Sequence, residues 1–413
     1  MRIAVLGGGV IGLSVAWRLA DSGHRVELYD DNPGQGASHA GAGMLAPAGE
    51  SWFGEEDLTR LGIAGLRQWP DFADRLEAAS GVDVGLRREG SLLVGVDDAD
   101  AATLDQVHDL LGRHGIEAER LTQRELRRIE PAATPGLRRS ILLRGDLSVH
   151  NRRVVRALLT AADRAGVVVH RTRADLTDGG VAIRPTGDRA GATEPAAPRP
   201  AAPRPADPRL NARPADVVVV AAGAELGTVG GLPDAVASAV RPVKGQILRL
   251  RTDPGLIEHT VRGLVRGDPA YVVPRADGEL VVGATSEEQG HDVRVTADGV
   301  YELLRRGIAL VPGLREAELV EAIARARPGT PDNVPLIGPI GEGVVVAAGH
   351  YRAGFLLAPI TAEAIAAYVD GRPAPEAVGC CDPDRFGFAP SRLVSGAANQ
   401  PAGRKTEKAR EAP

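Results

Sequence analysis

The apolar positions change their period along the chain, and each change marks an element. Arg2–Leu6 is a short apolar run of strand type that breaks at Gly7-Gly8-Gly9. From Gly12 to Ala20 the apolar residues Leu13, Ala16, Trp17 and Ala20 fall at helical spacing. Asp21-Ser22-Gly23 closes that helix, and Val26–Tyr29 makes a second strand. Strand, helix and strand in this order predict a βαβ unit and a parallel sheet.

Residues 34–49 carry almost no bulky side chains, which predicts loop or close backbone packing. Helices are predicted over 58–79, 101–114 and 121–129, with a strand at 92–96. Residues 154–165 form a clear amphipathic pattern followed by a strand at 167–169. Val217–Val220 is a fully apolar strand running into Ala221-Ala222-Gly223. Strands dominate from Gln246 to Ala284, as in a second domain built on an antiparallel sheet. A helix at 298–310, a buried strand at 344–347 and a helix at 358–369 complete the pattern. Residues 194–214 are rich in Pro, Ala and Arg and cannot bury a core, so a disordered loop insertion is expected there. A disordered tail is expected over 391–413.

Composition narrows the function. A chain of 413 residues calls for two or three packed units. The net charge of −5 and the lack of a basic run speak against nucleic acid or a membrane surface as partner. No apolar run is long enough to span a membrane, and no signal peptide is expected before the first strand. Cys380 and Cys381 are adjacent and match neither a zinc spacing nor a disulfide framework; no metal site is expected, and a reduced cytoplasm fits best. Lysine occurs only at Lys244, Lys405 and Lys408, so a single arginine in this arginine-rich chain is by itself weak evidence of a ligand site.

The glycines of the first turn carry more. Gly7, Gly9 and Gly12 follow a strand and open a helix, where a dinucleotide fingerprint belongs. Gly7 permits the tight turn, Gly9 lets backbone approach a pyrophosphate, and Gly12 allows close helix–strand packing. Asp30 ends the second strand 18 residues after Gly12, where an acid accepts bonds from ribose hydroxyls. The motif alone does not choose between NAD and FAD. Two further glycine-ended strands, Val217–Gly223 and Val344–Gly349, favour FAD, since a long cofactor lying along a sheet edge needs such close approaches.

Several blocks together resemble the D-amino-acid oxidase family of FAD-dependent oxidoreductases, over most of residues 1–375. They are the opening GGGVIG with Asp30, Gly41–Pro47, Val217–Gly223, Arg241–Gln246 and Tyr271–Arg275. Gly283-Ala284-Thr285, Arg327–Asp332 and Ala348–Gly354 running into Leu356–Pro359 follow. Within the family the likeness is greatest to the glycine-oxidising branch that serves thiamine biosynthesis. The resemblance implies a Rossmann-like α/β FAD-binding domain (1–84, 145–241 and 327–380) interleaved with an α+β substrate domain on an antiparallel sheet (85–144 and 242–326). It also implies a homotetramer.

Residue by residue, it gives Arg327 the grip on a substrate carboxylate, Arg352 a place beside the substrate, and Tyr271 the pocket lining. It places Val10, Ile11, Asp30, Asp31, Ala37, Ser38, Ala42, Gly43 and Met44 against FAD, with Ala174 on the adenine side. The segment His350, Tyr351, Arg352, Ala353, Gly354, Phe355 and Leu356 would pass the flavin ring. Two positions depart from the branch: Pro269, where histidine can stand, and Ser286, where methionine can stand. The cysteine pair lacks the motif of the covalent-flavin branch, so FAD is expected to be non-covalent.

The implied reaction takes a hydride from the Cα of a small amino acid, glycine foremost, with O2 reduced to H2O2. A rigid guanidinium fork suits the carboxylate, and no histidine or carboxylate presents itself as general base. Lys244 could place charge near the flavin or serve a structural turn. Two other readings stay open: a D-amino-acid or sarcosine oxidase or dehydrogenase, and a non-catalytic FAD-binding subunit.

Overall fold

The computed structural model describes residues 1–184 and 212–387. The first sheet has six strands in the order Leu336–Gly341, Val344–Ala348, Val217–Val220, Arg2–Leu6, Arg25–Tyr29 and Val168–His170. All neighbours are parallel except the first pair. The two central strands are buried on both faces, which is why Val217–Val220 reads as unbroken valine rather than as an alternation.

Helix Val10–Asp21 follows the first strand and packs on Gly354–Val369 and Asn151–Arg164. Gly354–Val369 is apolar almost all round because it lies inside the molecule. Pro359 within it has no N–H, so the carbonyl of Phe355 loses its helical donor. The indole Nε1 of the fully buried Trp69, on helix Glu56–Ser80, donates to that carbonyl at 3.0 Å and to Leu356 O at 3.1 Å. Trp69→Phe keeps most of the packing and leaves a buried acceptor unpaired. It should lower stability by about 1–3 kcal/mol in chemical denaturation; an unchanged midpoint would refute this role for the indole.

The second sheet has eight strands, from Glu318–Gly329 through Arg241–Arg251, Glu279–Gly283, Asp268–Pro274, Thr260–Val265, Ser91–Gly95 and Arg139–Leu143 to Glu119–Arg120. It is antiparallel as expected except at one junction, where Ser91–Gly95 runs parallel to Thr260–Val265. Those two strands come from distant stretches of chain, so no hairpin dictates their direction. Gly263 makes this close pairing possible, since a Cβ there would meet Val94 O at 1.8 Å.

One expectation is corrected at its edge. Residues 194–211 of the expected insertion, and the expected tail over 391–413, lie outside the described residues. Ala212–Pro214 is a strand, paired antiparallel with Gly180–Ala182 in a three-stranded sheet. The ladder, not the composition, satisfies this backbone, and Pro214 is tolerated because the strand is an edge.

Candidate active site

The two large sheets meet at a cavity of about 1000 Å³, the upper end of the range for small-molecule sites. At one end stands the glycine turn. Gly7 has φ +108°, and a Cβ on it would lie 2.3 Å from Ala221 O. A Cβ on Gly12 would lie 1.9 Å from Gly7 O, so this glycine seats the helix against the turn. Helix Val10–Asp21 begins at Gly9 with no side-chain cap, leaving first-turn amides for a ligand. One of them is already used, since Val10 N donates to Ser38 Oγ at 2.9 Å.

Asp30 accepts from Gly8 N at 2.6 Å and from Asn32 N at 2.7 Å, so its carboxylate also fixes the turn it faces. Asp31 pairs with Arg173 at 3.2 Å, and Arg173 also lines the cavity. The segment from Gly36 to Met44 forms the middle of the wall and is held from behind; where the sequence predicted loop or close packing, Ala37–Ala40 is a short helix. Asn151 Nδ2 donates to Ser38 O at 2.9 Å and to His39 O at 3.0 Å, and Arg275 Nη2 donates to Ala42 O at 2.5 Å. Burial pulls the Arg275 guanidinium down to about 10. The buried Arg249 joins this cluster, 2.5 Å from Glu279 Oε1 and 3.1 Å from Asn151 Oδ1.

At the far end the strands of the second sheet present Tyr271 and Arg327. Two glycines make room for them. A Cβ on Gly283 would lie 2.3 Å from the Tyr271 hydroxyl, and one on Gly245 would lie 2.4 Å from the Arg327 guanidinium. Arg327 Nη1 donates to Thr285 O at 3.1 Å. Arg352 lies 4.8 Å over the Tyr351 ring and donates to its hydroxyl at 3.1 Å. Among the described residues no carboxylate pairs with Arg327 or Arg352. Burial, with Arg352 adding to it, holds the Arg327 guanidinium below its ordinary pKa. Burial pushes the Tyr271 phenol up, so it stays a donor.

The last wall segment is strained. Tyr351 has φ +46°, uncommon for a residue with a side chain, and its N–H donates to Pro328 O at 2.9 Å. His350 beside it is buried, with Nε2 3.0 Å from Thr361 Oγ1. Burial pushes its pKa down to about 3, so it is neutral and no proton carrier at neutral pH. The unfolded chain therefore takes up this proton first. Stability from His350 is complete above about pH 6.5 and is lost as pH falls toward 3, by about 1.4 kcal/mol per unit. His350→Gln should flatten the fall of Tm between pH 6.5 and 5; an unaltered slope would contradict it.

Every residue assigned to FAD or substrate from the sequence lies on this one cavity wall except Gly12, which packs behind it. Pro269 and Ser286 line it too. Lys244 does not: it is buried and paired with Glu287 at 3.1 Å. The cavity also holds a carboxylate that the sequence did not single out. Glu50 lines it, pairs with Arg262 at 3.2 Å, and acts electrostatically on Tyr271, Arg327 and Arg352. Arg262 stands opposite Tyr271 in the neighbouring strand, so only the strand register could have revealed it.

The glycine turn, the uncapped helix start and the long cavity fit a dinucleotide, and the comparisons name it. The chain belongs to the FAD dependent oxidoreductase family, whose model matches residues 2–368. It is an FAD-dependent oxidoreductase, and FAD is its cofactor. It is 31% identical to glycine oxidase of Geobacillus kaustophilus over 89% of this chain and 92% of that one. The crystal structure of glycine oxidase from Geobacillus kaustophilus superposes with a TM-score of 0.79 over 92% of this chain and 98% of that chain, at 30% identity. Iminodiacetate oxidase from Chelativorans superposes at 0.77 over 92% and 99%, with 26% identity. The bifunctional protein ThiO/ThiG of Synechocystis is 30% identical over 93% of this chain, which covers 54% of that longer protein. Among the described residues no helix is long and apolar enough to cross a membrane.

Proposed function

We propose that this chain oxidises glycine to its imine, which water hydrolyses to glyoxylate, and that the product supplies thiazole assembly in thiamine biosynthesis. The observation that carries the reading is the pair of guanidiniums, Arg327 and Arg352, which have no acidic partner among the described residues and stand on the wall shared with the glycine turn. Two cations without acidic partners in a partly closed site call for an anion. Bound FAD supplies the two-electron acceptor, which O2 reoxidises with release of H2O2.

The chain's own part is positioning. Arg327 grips the carboxylate through its fork, and the protonated Tyr271 hydroxyl adds a donor from another strand of the same sheet. Arg352 closes the side toward Ser286, whose Oγ lies 3.5 Å from the Tyr351 hydroxyl. Glu50, held by Arg262, places negative charge near the same site and favours a cationic or hydrogen-bonding amine group there.

A second reading, a preference for sarcosine or a small D-amino acid, draws support from Pro269 and Ser286, which leave more room than histidine and methionine would. Oxygen uptake with glycine, sarcosine, D-alanine and D-proline, read together with peroxide, tests both. Highest kcat/KM for glycine supports the first reading, highest values for the larger amines replace it with the second, and none at all sinks both. The same reading takes the enzyme as a cytoplasmic homotetramer, for which light scattering is the test.

A further inference from the structure

Behind Arg327 lies a buried polar network that the reaction chemistry leaves unexplained. Alternation along Arg241–Arg251 sends Gly245 to the cavity, while Lys244 and Gln246 are buried away from it. Lys244 Nζ lies 3.1 Å from Glu287 Oε2. The other oxygen of that carboxylate accepts from Gln246 Nε2 at 2.7 Å and from Thr285 Oγ1 at 2.6 Å. Thr285 Oγ1 in turn accepts from Gln246 N at 2.8 Å, and Thr285 N donates to Gln246 O at 3.2 Å. The Gln246 amide reaches on to Thr296, the cap of helix Ala297–Leu310, through bonds of 3.0 and 2.9 Å.

Thr285 thus has its amide and its hydroxyl committed, and its carbonyl is left to face Arg327. That carbonyl is the one hydrogen-bond acceptor that fixes the Arg327 guanidinium among the described residues, with Gly245 as its floor. A bidentate fork tolerates only small errors of direction, so the angle of this carbonyl governs how well a carboxylate docks. Desolvation opposes ionisation of Glu287, but the bonds from Thr285, Gln246 and Lys244 outweigh it and hold the carboxyl below its usual range. Lys244 balances the charge.

We propose that Glu287 is a positioning residue for substrate binding, locking Thr285 so that its carbonyl aims the Arg327 guanidinium, with Lys244 as the counter-charge. The proposal rests on Arg327 as the carboxylate clamp. Glu287→Gln keeps the shape but turns an amide toward the Lys244 ammonium, donor against donor. In the FAD-loaded enzyme, KM for the amino acid and Ki for the non-reacting carboxylate glycolate should each rise about fivefold, the worth of one hydrogen bond. The values of kcat and of Kd for FAD should stay unchanged. Adding Lys244→Met to Glu287→Gln removes the clash and should restore most of the lost affinity. Thr285→Val deletes only the hydroxyl and carries the same test if Glu287→Gln does not fold. Unchanged KM and Ki in these variants, or losses that track FAD release, overturn the proposal. Arg327→Ala separates the two failures. If it too leaves Ki unchanged, the clamp reading falls; if it raises Ki while the other variants do not, only the positioning role falls.

Discussion

Replacing Arg327 with alanine is expected to lower kcat/KM for the amino acid by roughly a hundredfold or more while FAD stays bound. The guanidinium lines the cavity with no acidic partner among the described residues, rests on Gly245 and donates to Thr285 O. Its loss leaves a substrate carboxylate to be desolvated without its main donor. Lysine should recover only part of the effect, because a point charge cannot form the fork. Steady-state kinetics beside the flavin absorbance of the purified variant read the two quantities separately. Loss of flavin from Arg327→Ala, with turnover normal in the fraction that keeps it, would remove Arg327 from the substrate and assign it to the cofactor.

Gly12→Ala should act at the other end of the cavity and more severely. The new Cβ would lie 1.9 Å from Gly7 O, and the clash is with backbone, so no side chain can swing away. Helix Val10–Asp21 must then move off the turn that would hold the pyrophosphate. The expected product is protein without flavin and with a lowered Tm. Gly112→Ala, in helix Asp98–Arg113 with nothing within 4 Å of the added Cβ, is the control; it should hold FAD and be as stable or slightly more so. Yellow, stable Gly12→Ala protein would mean that the turn does not depend on this contact.

These two positions also mark how far the sequence could be read. Gly12 was legible because its constraint is local: strand, turn and helix are neighbours in the chain, and only glycine fits the crossing. Val217–Val220 was legible for a similar reason, as an unbroken apolar run has few places outside a buried parallel strand. The place of Arg327 on the cavity wall was legible through its Pro-Gly-Thr-Pro-Asp context and the family likeness, not through its chemistry, which is that of any other arginine. Gly245 and Gly283 were visible as letters, yet their task of making room for Arg327 and Tyr271 depends on which strands lie side by side. The Glu50–Arg262 pair joins residues far apart in sequence and left no local trace. The choice left open for Lys244, charge near the flavin or a structural place, turns on its side of the strand, which follows from register and which composition does not set. Ala212–Pro214 shows the reverse failure: a biased composition hid three residues that a neighbouring strand organises.

Anaerobic flavin reduction reads out whether the cavity oxidises an amine whose carboxylate Arg327 holds. The FAD-loaded protein is mixed without oxygen with glycine and, separately, with methylamine, which has the amine and lacks the carboxylate. Glycine should bleach the flavin absorbance, and methylamine at the same concentration should not. Equal bleaching by both, or none by glycine, sarcosine or any small D-amino acid, would contradict it.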